Sequence, residues 1–319
     1  MIALGASALA SPLSLLAQPT KIWRIGFLDG ASAIGRAEVA ESVRAGLRDL
    51  GYVENKNIVI EFRWAEGQYE RLPALAAELA RLNVDVLVAV GTPCTIAAKQ
   101  ATSTIPIVMV GVGDPIAAGI VTSLAHPTGN VTGVAILEPD ITVKRLELVR
   151  DAFPRVKQVA ILINPKSVMH GVIFKMAENA AKSLKIGLQK YEAGNLDQIK
   201  SAFATMAKKG AGAVVIPIDT MFQPNFAVIA VLAEQMRLPS VGPSNFPDSG
   251  GLIGYGAIPA KYFPRAAYYI DKLFKGAKPG DLPVEQPTQF EMIINMKTAK
   301  ALGVKIPNSI LVQATKVIE

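Results

Sequence analysis

The sequence is poor in the residues that metal and redox chemistry require. Its 319 residues include one cysteine, Cys94, and two histidines, His126 and His170. A single cysteine excludes an internal disulfide. With no C-x-x-C and no H-x-x-x-H pattern, the usual transition-metal ligand sets are missing, and neither a metal nor a cofactor is expected. There is no G-x-S-x-G elbow and no phosphate-binding loop, and the first strand-like run continues as GFLDGASAIG rather than as a dinucleotide fingerprint. Only 18% of residues are charged and 6% are aromatic. The net charge of +7 is spread along the chain without a basic run or a basic-aromatic array, which argues against a nucleic-acid partner. No segment holds about 18 consecutive apolar residues, so no spanning helix is expected.

Half of the residues are apolar, enough for a packed protein, and the length suggests about two domains. The opening MIALGASALASPLSLLAQ carries no charge and is rich in small residues. It reads as a secretory segment over residues 1–20, with Ala17-Gln18 as a cut site, although a positive n-region is absent. Export without disulfides suits a bacterial periplasm. His126, within AHPTGN, reads as a surface loop residue.

The chain is organised around Val84 to Pro115. An apolar run (Asp85 to Val90) breaks at Gly91-Thr92-Pro93 and passes into an Ala-rich helix. A second run (Ile107 to Val110) breaks at Gly113-Asp114-Pro115. Strands apolar on both faces belong to a parallel sheet, whose ligands lie at the strands' carboxyl ends. Pro93 and Pro115 fit first helical positions, with Thr92 and Asp114 as N-caps. The same helix ends also present N–H groups to an anion.

Around this stretch, Ile22–Leu28 and Asn57–Trp64 read as strands, Arg36–Leu50, Tyr69–Leu82 and Ile116–Leu124 as helices, and Asn130–Ala135 as a fifth strand. The pattern then restarts with strands at Gln158–Ile163, Gly187–Tyr191 and Gly212–Ile218 between helices. DVLVAVGTP with its helix and IPIVMVG is echoed by GAVVIPIDT with its helix and LPSVGPS, which predicts two similar lobes facing across a cleft. Gly250–Gly256 reads as a return strand whose glycines absorb hinge rotation. The expected division is 21–137 plus 257–284 for lobe one and 138–256 plus 285–319 for lobe two.

GQYERLPALAAELARLNVDVLVAVGTP, AAKQATSTIPIVMVGVGDP, HPTGNVTGV, INPKS and KGAKPGDLPVEQPTQFEMIINMKTAKALGVKIPNSIL together resemble the ABC-transporter substrate-binding proteins that include tryptophan-binding-like members, from about Ile22 to the C-terminus. The resemblance implies an α/β fold of two Rossmann-like lobes, that of a type I periplasmic binding protein, with three hinge crossovers. It also implies a small-molecule ligand, such as an aromatic amino acid, and hand-over to an inner-membrane ABC permease. A periplasmic monomer is expected. Cys94 stands where small residues are usual in that family.

The strand exits supply the candidate ligand-binding residues: Asp29, Trp64, Thr92, Cys94, Thr95, Gly113, Asp114, Asn164, Ser167, Asp219, Thr220 and Tyr255. Trp64 and Tyr255 suit stacking on a planar ligand, though Trp64 equally suits packing on the following helix. Asp219, ending an apolar strand, suits a ligand ammonium, an N-cap or a lysine partner. The alternative to a binding protein is a Rossmann-like enzyme with Cys94 as nucleophile at a helix N-terminus. It would need His126 or His170, neither of which sits at an expected strand exit.

Overall fold

The computed structural model describes residues 21–127 and 129–319. The secretory segment expected over 1–20 lies outside them. The first sheet is built from β1 (Trp23–Asp29), α1 (Ala37–Asp49), β2 (Ile58–Trp64), α2 (Leu72–Arg81), β3 (Val86–Val90), α3 (Gly91–Ala101), β4 (Ile107–Val112) and β5 (Val131–Ala135). Its strands run parallel in the order β2-β1-β3-β4-β5. All five residues of β3 are buried, as a strand covered on both faces requires.

The second sheet follows with α4 (Glu138–Ala152), β6 (Gln158–Ile163), α5 (Val168–Leu184), β7 (Gly187–Glu192), α6 (Leu196–Lys208), β8 (Ala213–Val215), α7 (Phe226–Gln235), β9 (Ser240–Gly242) and β10 (Ile253–Ala257). The chain then crosses back. Short α8 (Pro259–Tyr262) precedes α9 (Arg265–Phe274), which packs on α1 and on the first sheet. A last crossing leads to β11 (Phe290–Asn295), α10 (Met296–Leu302), α11 (Asn308–Leu311) and β12 (Lys316–Ile318). The second sheet is ordered β12-β11-β10-β9-β8-β6-β7, with β11 antiparallel to β10. Two doubly wound lobes joined by three crossings are the architecture expected from the sequence.

Several local expectations are corrected. Ile116–Leu124 is a series of turns rather than a helix, because Gly119 takes a positive φ of 66° and closes a turn on Ile116. Thr92 is not an N-cap: α3 begins at Gly91, whose φ of +79° makes the strand-to-helix turn. The return strand expected over Gly250–Gly256 forms as β10, which lies within the second sheet, between β9 and β11. Its Gly254 serves close packing, because a Cβ there would lie 2.5 Å from the Ser244 carbonyl oxygen.

The turn into the second lobe is held by a buried ion pair. Arg145 donates through Nη1 to Glu138 Oε1, and both side chains are 1% exposed. Arg145 Nε also donates to the Tyr255 carbonyl at 2.9 Å, while Glu138 Oε1 accepts from the Ile218 N–H at 2.7 Å. The pair thereby ties α4 to β10 and to the exit of β8. Arg145→Ala would leave the Glu138 charge buried without its counter-ion, and a loss of about 3–5 kcal/mol is expected. Urea denaturation followed by circular dichroism measures it; a loss under 1 kcal/mol would show that Glu138 is compensated elsewhere.

Candidate functional site

The carboxyl ends of the two sheets meet at a narrow cavity of about 40 Å³. That is room for roughly two or three waters. Its lobe-one wall is Arg36, Tyr69, the α3 start at Gly91 and Thr92, and Gly113, with Tyr262 and Phe263 from the returning segment. Lobe two contributes Glu138, Ser167, Met169, His170, Asp219, Thr220 and Gln223.

Asp219 is the centre of the lobe-two wall, 6% exposed. Its Oδ1 accepts from the Tyr69 hydroxyl (2.9 Å), Asn164 Nδ2 (3.1 Å) and the Met221 N–H (2.9 Å). His170 Nδ1 accepts from the Asn164 N–H at 2.8 Å, which places the ring proton on Nε2. Nε2 lies 3.4 Å from Asp219 Oδ2 and 3.3 Å from the Ile218 carbonyl. One oxygen of Asp219 is therefore saturated, and the other has a single long contact and spare lone pairs.

Arg36 is the opposing charge. Its Nε donates to Asp29 Oδ2 at 3.1 Å, in a pair 6% and 0% exposed, and its Nη1 donates to Gln223 Oε1 of the other lobe. Nη2 makes no hydrogen bond among the described residues, and the guanidinium lies 5.4 Å from the Phe263 ring centre. The Tyr262 hydroxyl also makes none, although Tyr262 is 4% exposed. Burial pushes its phenol well above the ordinary range, so it stays protonated, able to donate or accept.

Of the residues expected from the sequence, Thr92, Gly113, Ser167, Asp219 and Thr220 line the cavity. Asp29 and Asn164 lie one step behind it, holding Arg36 and Asp219. The Gly113 N–H is taken by Thr92 Oγ1 (3.2 Å), so it is not open to a carboxylate, but the Thr92 hydroxyl proton is. Asp114 caps a turn through the Ile116 and Ala117 N–H groups and is not in the lining. Thr95 is fully buried and donates to the Gly91 carbonyl at 2.9 Å.

Trp64 and Tyr255 are not brought to the cavity. Trp64 stacks on Phe62 of its own strand at 5.6 Å and packs with Phe27 in the core under α1 and α9. Tyr255 stacks on Phe290 at 6.2 Å. In place of them the aromatic surface comes from Tyr69, Tyr262 and Phe263. Sequence reading missed these, and it also missed Arg36, Glu138, His170 and Gln223. Two of the misses had local signals. Arg36 is the N-cap residue of α1, where Ser, Thr, Asp or Asn is preferred and a cation opposes the helix dipole. His170 lies in the first turn of α5, directly after the Asn164-Pro165 strand exit.

A family model described as ABC transporter substrate binding protein matches residues 27–318. A tyrosine-binding protein of Clostridioides difficile is 28% identical over 261 residues, covering 81% of this chain and 74% of that protein. Among solved structures, a conserved domain protein from Vibrio cholerae is similar with a TM-score of 0.87 at 27% identity, covering 93% of this chain and 100% of that one. An ABC domain from Streptococcus pneumoniae in complex with L-Trp has a TM-score of 0.84 at 26% identity, covering 92% and 100%.

Cys94 does not serve as a nucleophile. It is fully buried in the lobe-one core, and burial, with the nearby Asp29 charge, pushes its thiol well above the ordinary range. His170 is engaged with Asp219 and Asn164. Labelling of Cys94 by a maleimide at neutral pH is therefore expected to be roughly a hundredfold or more slower in the folded protein than in urea, because it must wait for opening. Mass spectrometry over a time course reads the rate, and fast native labelling would show an accessible thiolate.

Proposed function

Because the chain belongs to the family of ABC transporter substrate-binding proteins, we infer that its cavity binds an amino acid with an apolar or aromatic side chain. The bound amino acid would then pass to a cognate ABC permease of an importer. The observation that carries this reading is the pair of opposed charges. Arg36 of lobe one and Asp219 of lobe two face one cavity, each with hydrogen-bonding capacity left over. A zwitterion matches both. Its carboxylate fits Arg36 Nη2 and the Thr92 hydroxyl, the former a charge-assisted hydrogen bond. Its ammonium fits Asp219 Oδ2. Met169, Tyr262 and Phe263 supply apolar surface between the charges, and rings there favour a planar side chain by about 0.5–1.5 kcal/mol beyond area burial.

The tyrosine-binding and L-Trp-bound relatives support an aromatic side chain for this chain as well. Family membership and the uncharged opening segment support an exported protein in the periplasm. No helix among the described residues is long and apolar enough to cross a membrane.

Calorimetry with L-tyrosine, L-tryptophan and L-leucine, against tyramine and 4-hydroxyphenylpropionate, tests the clamp. At least one amino acid is expected to bind, while the analogues lacking the carboxylate or the ammonium lose most of the affinity. Asp219→Ala should cost on the order of 2–5 kcal/mol, as for one side of a buried charge pair. An Asp219→Ala affinity within threefold of the parent would place the ammonium elsewhere.

A further inference from the structure

The cavity is continued by a smaller space of about 10 Å³ that Asp219 does not line. Glu138, Ile218, Gln223 and Tyr262 are walls of both, and Asn245 stands on the far side of the smaller one. It has room for about one water.

Polar groups here lack a full set of partners. The Tyr262 hydroxyl makes no hydrogen bond among the described residues, although Tyr262 is 4% exposed. Glu138 is 1% exposed, and its two oxygens are used unequally. Oε1 accepts from Arg145 Nη1, the Ile218 N–H and the Thr142 hydroxyl, whereas Oε2 has only Arg145 Nη2, at 3.4 Å. Asn245 Oδ1 is buried and has no hydrogen-bond partner among the described residues. The phenol keeps its proton: burial pushes its pKa up, Arg36 pulls it down, and Glu138 adds to the rise.

The carboxylate and amide oxygens can only accept, and the hydroxyl can do either. A hydrocarbon side chain would leave such an acceptor-rich end unsatisfied, whereas an O–H or N–H would satisfy it. Among aromatic side chains a phenol offers the first and an indole the second, and a phenyl ring offers neither.

We propose that Tyr262 and Glu138, with Asn245 behind them, form a specificity subsite that reads a hydrogen-bond donor at the far end of the ligand's side chain. This rests on the amino-acid reading above and extends it. Arg36 and Asp219 hold the groups that every amino acid has, whereas Tyr262 and Glu138 choose among side chains. A ligand without the donor takes water from these groups and returns no hydrogen bond, which costs more than a missing contact.

Calorimetry with two matched pairs of ligands tests the subsite. L-Tyrosine is compared with L-phenylalanine, and L-tryptophan with L-3-(3-benzothienyl)alanine, in which sulfur replaces the indole N–H at nearly unchanged shape. The parent should prefer the donor of at least one pair by about tenfold or more. Tyr262→Phe should erase that preference by weakening the donor ligand, while L-phenylalanine binds as well as before or better. A merely damaged cavity would weaken all four ligands together and keep the preference. Should Tyr262→Phe not fold, Asn245→Ala takes its place and should narrow the preference. Equal affinities within both pairs, or a preference that the folded variant retains unchanged, would overturn the subsite. Binding of none of the four would instead sink the amino-acid reading, and the subsite with it.

Discussion

The site depends on keeping the Asp219 carboxylate charged while it is almost out of water. An ionised carboxylate transferred to an apolar interior without partners costs far more than a protein can supply, so such a charge must be paired or hydrogen-bonded. Here the partners are Tyr69, Asn164, the Met221 N–H and His170. They come from three segments, and one lies on the opposite lobe. Each partner is in turn held: Asn164 fixes the imidazole through its own N–H, and its Oδ1 accepts from the Lys166 N–H at 3.0 Å. The carboxylate is thus the knot at which the exits of β2, β6 and β8 are tied together.

Lobe one answers with the mirror problem, a buried cation. Arg36 is affordable only because Asp29, at the end of β1, lies beside it and accepts from the Ala31 N–H at 2.9 Å. A lone Asp29–Arg36 pair would be a doubtful asset for stability, since desolvation can exceed the attraction in a buried pair. Its retention makes sense if the guanidinium has a further anion to meet. The same holds for Tyr262, a buried phenol with no partner among the described residues. Arg36 and Tyr262 both line the cavity between the lobes.

Much of this was legible in the sequence. The period-two and all-apolar strands, the helix stripes and the echo between DVLVAVGTP and GAVVIPIDT were enough to give two doubly wound lobes, and the strand exits placed Thr92, Gly113, Ser167, Asp219 and Thr220 at the cavity. What sequence order does not carry is which neighbours the fold brings from far away. Trp64 ends the edge strand β2 and is nearer to Phe62 and Phe27 than to the cleft. Tyr262 and Phe263 reach the site only because the chain crosses back after β10, a contact at long sequence separation with no local signature. Gly254 is a related case, since a glycine required by close packing looks the same in sequence as one required by motion. Arg36 was readable in principle, as a cation at a helix start.

The chemistry of the interlobe contact also bears on how the two lobes can part. Direct links across the cavity are hydrogen bonds and ion pairs: Tyr69 to Asp219 and Thr220, Arg36 to Gln223, Glu70 to Lys166. When such groups separate they exchange one another for water, so each bond changes the balance by only about 0.5–3 kcal/mol. An apolar seam of the same extent would lose its burial with no replacement, at about 25 cal/mol per Å² exposed, and would weld the lobes. Met221 and Phe222 lie beside the seam, 5% and 0% exposed, in a cluster that also holds Tyr69 and Leu72 of lobe one, so some apolar burial accompanies the polar links. Polar links beside an apolar cluster that runs through both lobes give a molecule whose closure is weighted in part by a few hydrogen bonds. That is the balance a ligand with affinity for both walls can shift.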